Sequence, residues 1–175
     1  NDELVRRSSV GAGIMGVKWL VIHPGNVKDE TWYSYRKSFV ANLETFKKYA
    51  EIAAKHNVGI AIENMIERSV NRRYCSSTEE LIELVDTLND PIFGICWDTG
   101  HANLGKVDQP SALRKIGSRL KALHIDDNRG EVDDHLAPYF GNIAWEPILE
   151  ALADIDFDGC FTFEIHNFTN GLPDG

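Results

Sequence analysis

The chain has 175 residues, 43% of them apolar, which suits one ordinary domain with a substantial core. A net charge of −9 and a pI near 5.1 argue against a sequence-independent grip on nucleic acid, which needs a basic surface. No apolar run approaches the about 18 residues of a membrane span, and the first residues carry no signal-peptide pattern.

Taken in chain order, one pattern repeats: an apolar strand, a polar loop, an amphipathic helix. The first strand is KWLVIHPG (18–25), stopped by Pro24-Gly25. A helix over about 32–56 follows, because Phe39, Leu43, Phe46, Ala50 and Ala53 recur at three- and four-residue steps. The second strand is VGIAIENM (58–65). Ser77 and Glu80 form a capping box ahead of Leu81, Leu84, Val85 and Leu88, and Pro91 closes that helix.

The third strand starts at Gly94 and runs through Cys96 and Trp97 into Asp98, where a Thr99-Gly100 bend is expected to swing His101 back. A helix over about 110–119 opens with Pro110-Ser111. The fourth strand is LKALHID (120–126), and a long loop then reaches Asn142. The next helix tolerates Pro147 in its first turn, and the fifth strand is CFTFEIH (160–166). Strands alternating with helices predict a parallel sheet covered on both faces, in a single domain over residues 1–175. The three cysteines include no C-x-x-C pair. Cys96 and Cys160 fall inside apolar strand patterns and read as buried, reduced thiols, so a cytoplasmic setting is expected.

Every strand ends in a potential metal ligand: His23, Glu63, Asp98 with His101, His124, and Glu164. In parallel α/β folds that edge is where sites are built, because the loops converge there. A lone His or Glu at such a position is ordinarily structural. Recurrence at all five strand ends points instead to a shared site. His, Asp and Glu without thiolate suit Zn²⁺ or Mn²⁺, with Mg²⁺ or Co²⁺ as alternatives. The loop HIDDNRGEVDDH adds Asp133 and His135, whereas Asp126, Asp127 and Asp134 read as surface or supporting groups.

The ordered series H-P-G, I-E-N, D-T-x-H, H-x-x-D, D-x-H and F-E-I resembles the xylose-isomerase-like (β/α)8 TIM barrels. That superfamily joins sugar isomerases and epimerases with AP endonucleases of the endonuclease IV type. The resemblance runs from about residue 3 to residue 166. For the epimerase branch it implies one divalent metal on Glu63, Asp98, His124 and Glu164, with His101 on the substrate. For the endonuclease branch it implies His23, His101, Asp133 and His135 as additional metal ligands. Such barrels have eight strands and about 250 residues. Five strands are read here, so the fold expected is a partial barrel covering about the last five, beginning in the helix before the fourth. An open sheet of that kind is expected to self-associate. The family's Pro-Gly-x-Gly-x-Ile-Asp-Trp turn reads PYFGNIAW, with Tyr139-Phe140 for the first glycine region and Ala144 for Asp, a departure that leaves the loop conformation over the site open.

The function implied is a metal-dependent isomerase or epimerase of a small sugar or sugar phosphate, working through an enediolate. Glu63 and Glu164 are the proton-transfer pair; His101 and Arg129 contact substrate. Trp97 and Trp145 are core residues by default, with a sugar-stacking wall as the alternative. The rival reading is an endonuclease that attacks phosphate with metal-bound hydroxide. The loops NVKDE, DDNRGEVDD and TNGLPDG are too acidic to favour nucleic acid. A third reading is a sugar- or metal-binding protein without catalysis.

Overall fold

The computed structural model describes residues 2–27, 33–68 and 71–166. The first residue expected in the helix over 32–56, residues 28–30 of NVKDE and all of TNGLPDG lie outside them. The elements are α1 (Asp2–Met15), β1 (Trp19–Ile22), α2 (Tyr35–Ala53), β2 (Gly59–Glu63), β3 (Glu67–Arg68), β4 (Asn71–Arg72), α3 (Thr78–Leu88), β5 (Phe93–Asp98), α4 (Thr99–Leu104), α5 (Gln109–Ile116), β6 (Leu120–Ile125), α6 (Trp145–Asp154) and β7 (Phe161–Phe163). Short 3-10 turns, Ala54–His56 and Gly117–Arg119, end α2 and α5.

The five long-range strands form one parallel sheet in the order β1-β2-β5-β6-β7, half of a barrel, with β3 and β4 as a separate antiparallel pair. Helices pack outside it through Phe46, Leu81, Leu84, Leu113, Ile116, Ile148 and Leu152, against Ile60, Ile62, Ile95, Leu123 and Ile125 from the strands. Burying each such aliphatic side chain stabilises the fold by about 1.5–3 kcal/mol. Trp97 and Trp145 belong to this core, their indole N–H groups donating to Gln109 Oε1 and Asp127 Oδ2. Neither forms a wall of the site.

Several local expectations are corrected. The fifth strand covers only Phe161–Phe163 and is exposed along its length, and Cys160 is exposed with it. As the edge strand, β7 pairs with β6 alone among the described residues. The α2 stripe is rotated so that Ser38 and Asn42 are buried while Phe39 and Leu43 are only partly so. The polar tips explain this. Asn42 accepts from Gly25 N and donates to Gly25 O, and Ser38 Oγ accepts from Val27 N, holding the loop after His23. At α3, Ser77 Oγ accepts from Glu80 N as a capping box requires, but the Glu80 carboxylate accepts from Cys75 N rather than from Ser77 N.

The turn PYFGNIAW keeps the backbone of a glycine at its departed position: Tyr139 has φ +70°. A non-glycine residue there costs about 1–2 kcal/mol. Asp127 supplies the compensation. It is fully buried, and its carboxylate accepts from Tyr139 N, Ile143 N and the Trp145 indole. Ala144, the N-cap of α6, makes no side-chain cap.

Candidate metal centre

The sheet register decides which strand-end residues share a face. In parallel strands, paired residues and those two apart along a strand point the same way. Glu63 pairs with Cys96, so Asp98, two residues on, faces the same side. Between β5 and β6 the register shifts: Ile95 pairs with Leu120, but Cys96 pairs with Ala122, leaving Lys121 over. Because of that bulge Asp98 pairs with His124 and not Leu123. Without it His124 would face the helices. Gly94 makes room for the extra residue, since a Cβ there would lie 2.1 Å from Lys121 Cγ. Thr162 pairs with His124, and Glu164 follows two residues later on the same face.

The consequence is convergence. Ligand atoms of Glu63, Asp98, His124 and Glu164 all lie within 4.8 Å of one another. His124 Nδ1 stands 2.9 Å from Glu164 Oε2, 3.3 Å from Glu63 Oε1 and 3.8 Å from Asp98 Oδ2. His23 Nε2 is 3.1 Å from Glu63 Oε2. Despite these approaches, Glu63 Oε2, Asp98 Oδ2 and His124 Nδ1 are buried without a hydrogen bond of acceptable geometry. Each such orphan costs about 1–3 kcal/mol, and a divalent cation at the point they face would satisfy all three. The donor set therefore fits a metal. Cys96 Sγ also lies within 4.8 Å of Glu63 and His124 donors, but burial, then the neighbouring carboxylates, push its thiol far up and keep it neutral.

The charges follow from the packing. Burial opposes ionisation of Glu63, yet the His124 and His23 imidazoles outweigh it and hold this carboxyl at about 2. Asp98 goes the other way, raised well above the ordinary value by burial and by the carboxylates of Asp126 and Glu63. Burial lowers His124, but Glu63 and Glu164 more than compensate and its pKa is raised. His23 is raised by Glu63, and His101 is lowered by burial.

The ends of β2, β5 and β6 are tied to one another by polar side chains. Asn64 Oδ1 accepts from Asp98 N at 2.6 Å and its Nδ2 donates to Asp98 O at 3.0 Å, so the residue after Glu63 fixes the backbone of Asp98. Thr99 Oγ1 donates to Asp126 O at 2.7 Å and accepts from Asp126 N at 3.1 Å, tying β5 to β6. Asp126 Oδ1 accepts from Gly100 N, and burial raises its carboxyl to about 6. Asp126 and Asp127 are thus fully buried and not surface groups. The expected Thr99-Gly100 bend is instead the first turn of α4, which Asp98 caps.

A second donor set stands beside the first. Asp133 Oδ2 lies 3.7 Å from His101 Nε2 and 3.6 Å from His135 Nε2. Nδ1 of His101 meets Asn64 O at 2.9 Å and Nδ1 of His135 meets Glu164 O at 2.8 Å. A carbonyl can only accept, so Nδ1 of both rings donates; in the neutral ring this leaves the lone pair on Nε2, the tautomer a metal ligand needs. His166 was missed in sequence: its ring centroid is 4.2 Å from that of His135, and donors of His135, Glu164 and His166 lie within 4.8 Å. Its signal was the spacing Glu164-x-His166, just beyond the end of β7. The open cavity, about 440 Å³, is lined by His23, Glu63, Ile66, Arg73, His101, Asp133, His135 and Glu164. Arg129 is not among them. It is exposed and donates at 3.4 Å to Phe140 O.

The pattern of the xylose isomerase-like TIM barrel family matches residues 3–175. The chain belongs to this family. An uncharacterized protein of Methanocaldococcus jannaschii is 31% identical over 97% of this chain and 58% of its own. A D-psicose 3-epimerase of Enterocloster bolteae is 30% identical over 74% of this chain and 40% of its own. A probable endonuclease 4 of Mesomycoplasma hyopneumoniae is 27% identical over 92% and 58%. Among solved structures, a D-tagatose 3-epimerase-like protein superposes with a TM-score of 0.81 at 30% identity, over 93% of this chain and 61% of that one. The chain therefore spans between about two fifths and three fifths of the relatives it matches. No helix among the described residues is long and apolar enough to cross a membrane.

Proposed function

We propose that the protein is a divalent-metal-dependent isomerase or epimerase of a small sugar or sugar phosphate, moving a proton at the carbon beside a carbonyl. The observation that carries this reading is the convergence of Glu63, Asp98, His124 and Glu164 on one point in a fold 30% identical to a D-tagatose 3-epimerase-like protein. Glu63, Asp98, His124 and Glu164 would hold a divalent ion, Zn²⁺ or Mn²⁺ by the donor types and Mg²⁺ or Co²⁺ as alternatives, which would supply Lewis-acid polarisation of the substrate carbonyl.

The chain's own groups do the rest. Glu63, kept ionised by His124 and His23, is the carboxylate that takes the substrate proton. Glu164, which like Glu63 approaches His124 Nδ1, is the second carboxylate of the pair and returns one. His101, neutral and fixed by Asn64 O, presents Nε2 to a substrate hydroxyl. The free, buried thiols of Cys75 and Cys96 fit a reducing cytoplasm. The exposed Phe161 and Phe163 of β7 favour self-association across that edge.

The test is deuterium wash-in from heavy water into a panel of ketoses and ketose phosphates with Mn²⁺ or Zn²⁺ added. Exchange of the proton next to the carbonyl supports the reading; no exchange on any of them, with metal bound, removes it. One observation favours a second reading. The His101, Asp133 and His135 set would hold a further ion, and the relatives include probable endonucleases 4. Incision of abasic duplex DNA at catalytic metal levels would replace the first reading by this one.

A further inference from the structure

We infer that Arg73 is the substrate-specificity residue of this site and that it selects a sugar carrying a phosphate group. The inference rests on the isomerase or epimerase reading above and names the substrate class within it.

Among the described residues, Arg73 supplies the only arginine or lysine in the lining of the cavity onto which Glu63, Glu164 and the second donor set open, with His23, His101, Asp133 and His135 around it. Its neighbour shows what an ordinary structural arginine does here. Arg72 lies 2.9 Å from Glu80 Oε1 and 3.4 Å from Glu67 Oε2, and its guanidinium stands 4.7 Å from the Tyr33 ring centroid. Arg73, one residue on, has no ion-pair or hydrogen-bond partner among the described residues, in a chain of net charge −9. Its field reaches His23, which it disfavours in the protonated form.

The backbone that presents Arg73 is held on both sides. Asn26 Nδ2 donates to Arg72 O at 3.1 Å and Asn26 Oδ1 accepts from Tyr74 N at 2.7 Å. Tyr74 is fully buried, and Met65 N donates to Cys75 O at 2.9 Å. Asn26 belongs to the loop that follows His23, so a single side chain fixes Arg73 relative to the strand end bearing His23. A guanidinium set on a clamped backbone, with five donors and no internal acceptor, matches the oxygens of a phosphate and pays little ordering entropy when it binds. The metal-facing carboxylates cannot contact a phosphate favourably. The phosphate end of the substrate therefore lies at Arg73, and the carbonyl end lies toward Glu63 and Glu164. Arg129, whose guanidinium lies outside the cavity on Phe140 O, cannot serve this role in its present position.

The test compares fructose with fructose 6-phosphate, and allulose with allulose 6-phosphate, in the wild type, Arg73→Ala and Arg73→Lys. Arg73→Ala is expected to raise KM for the phosphorylated sugars roughly 10- to 100-fold, with kcat and all constants for the unphosphorylated sugars little changed; Arg73→Lys should restore part of the loss. An equal change for both kinds of sugar, or no change for either, overturns the inference. Calorimetric titration of fructose 6-phosphate into the metal-supplemented proteins separates the two readings. If the wild type exchanges no proton, the isomerase reading has failed. The Arg73 site still stands if its affinity for the phosphate falls in Arg73→Ala, and it falls with the reading if the two proteins bind alike.

Discussion

Asp98 divides its carboxylate between two tasks that meet at His101: Oδ1 accepts from His101 N at 2.6 Å and caps α4, while Oδ2 is buried without a hydrogen-bond partner, 3.8 Å from His124 Nδ1. One side chain thus ends a strand, starts a helix, and sets the imidazole three residues on.

That division can be separated by substitution. Asp98→Asn keeps a good N-cap but removes the charge, so the metal-free protein should melt near the wild-type temperature while metal affinity falls at least tenfold. Asp98→Ala should lose the cap as well and be destabilised by a further about 1 kcal/mol. Paired thermal melts and metal titrations check this; equal metal affinity in Asp98→Asn and wild type would exclude Asp98 as a ligand.

Glu63→Gln and Glu164→Gln each remove a base while keeping an oxygen that can still meet a cation weakly. Solvent exchange of the substrate proton should fall by about 10²–10⁴-fold or more, with metal retained at high concentration. His101→Asn should instead raise KM at least as clearly as it lowers kcat. If both Glu→Gln variants exchange at the wild-type rate, this pair does not transfer the proton.

Metal binding should be tied to pH in a definite direction. His124 and Asp98 both have raised pKa values, so both tend to hold protons that an ion must displace. Affinity should therefore rise with pH through the near-neutral range, and adding metal in unbuffered solution should release protons. For the metal-free fold the His124 sign is separate. Its raised pKa gives stability that is full below the ordinary imidazole value and is lost as pH rises through the raised one. A pH-stat titration with no proton release would contradict the ligand assignment.

Gly100 is required by the approach of Asp126. A Cβ there would sit 2.0 Å from Asp126 Oδ2, a buried carboxylate oxygen. Gly100→Ala should cost about 1–3 kcal/mol, the usual penalty of overpacking, and lower the denaturant midpoint without changing the slope.

The uncapped start of α6 offers a gain. Ala144 occupies the N-cap with an extended backbone and no side-chain bond. Ala144→Asp restores the family's residue and should stabilise the fold by about 1 kcal/mol, read as a rise in melting temperature. An unchanged or lower value would show that repulsion from Asp127 outweighs the cap.

The amino-acid sequence by itself determined the alternation of strands and helices, the placing of Glu63, Asp98, His124 and Glu164 at strand ends, and membership of a barrel family, because apolar periodicity and short ordered motifs are local and survive without tertiary information. It could not give the face on which His124 lies. A two-residue alternation does not reveal the bulge at Lys121, and only pairing with β5 brings His124 to Asp98. Nor could it tell that Asp126 and Asp127 are buried while Cys160 is exposed. Acidic loop residues look solvated until neighbouring N–H groups claim them, and an apolar strand looks buried until its place at the sheet edge is known. The exchange of Arg129 for Arg73 in the cavity has the same cause. Which cation reaches a site depends on how a distant hairpin is anchored, here by Asn26, and that anchoring is a property of the tertiary structure alone.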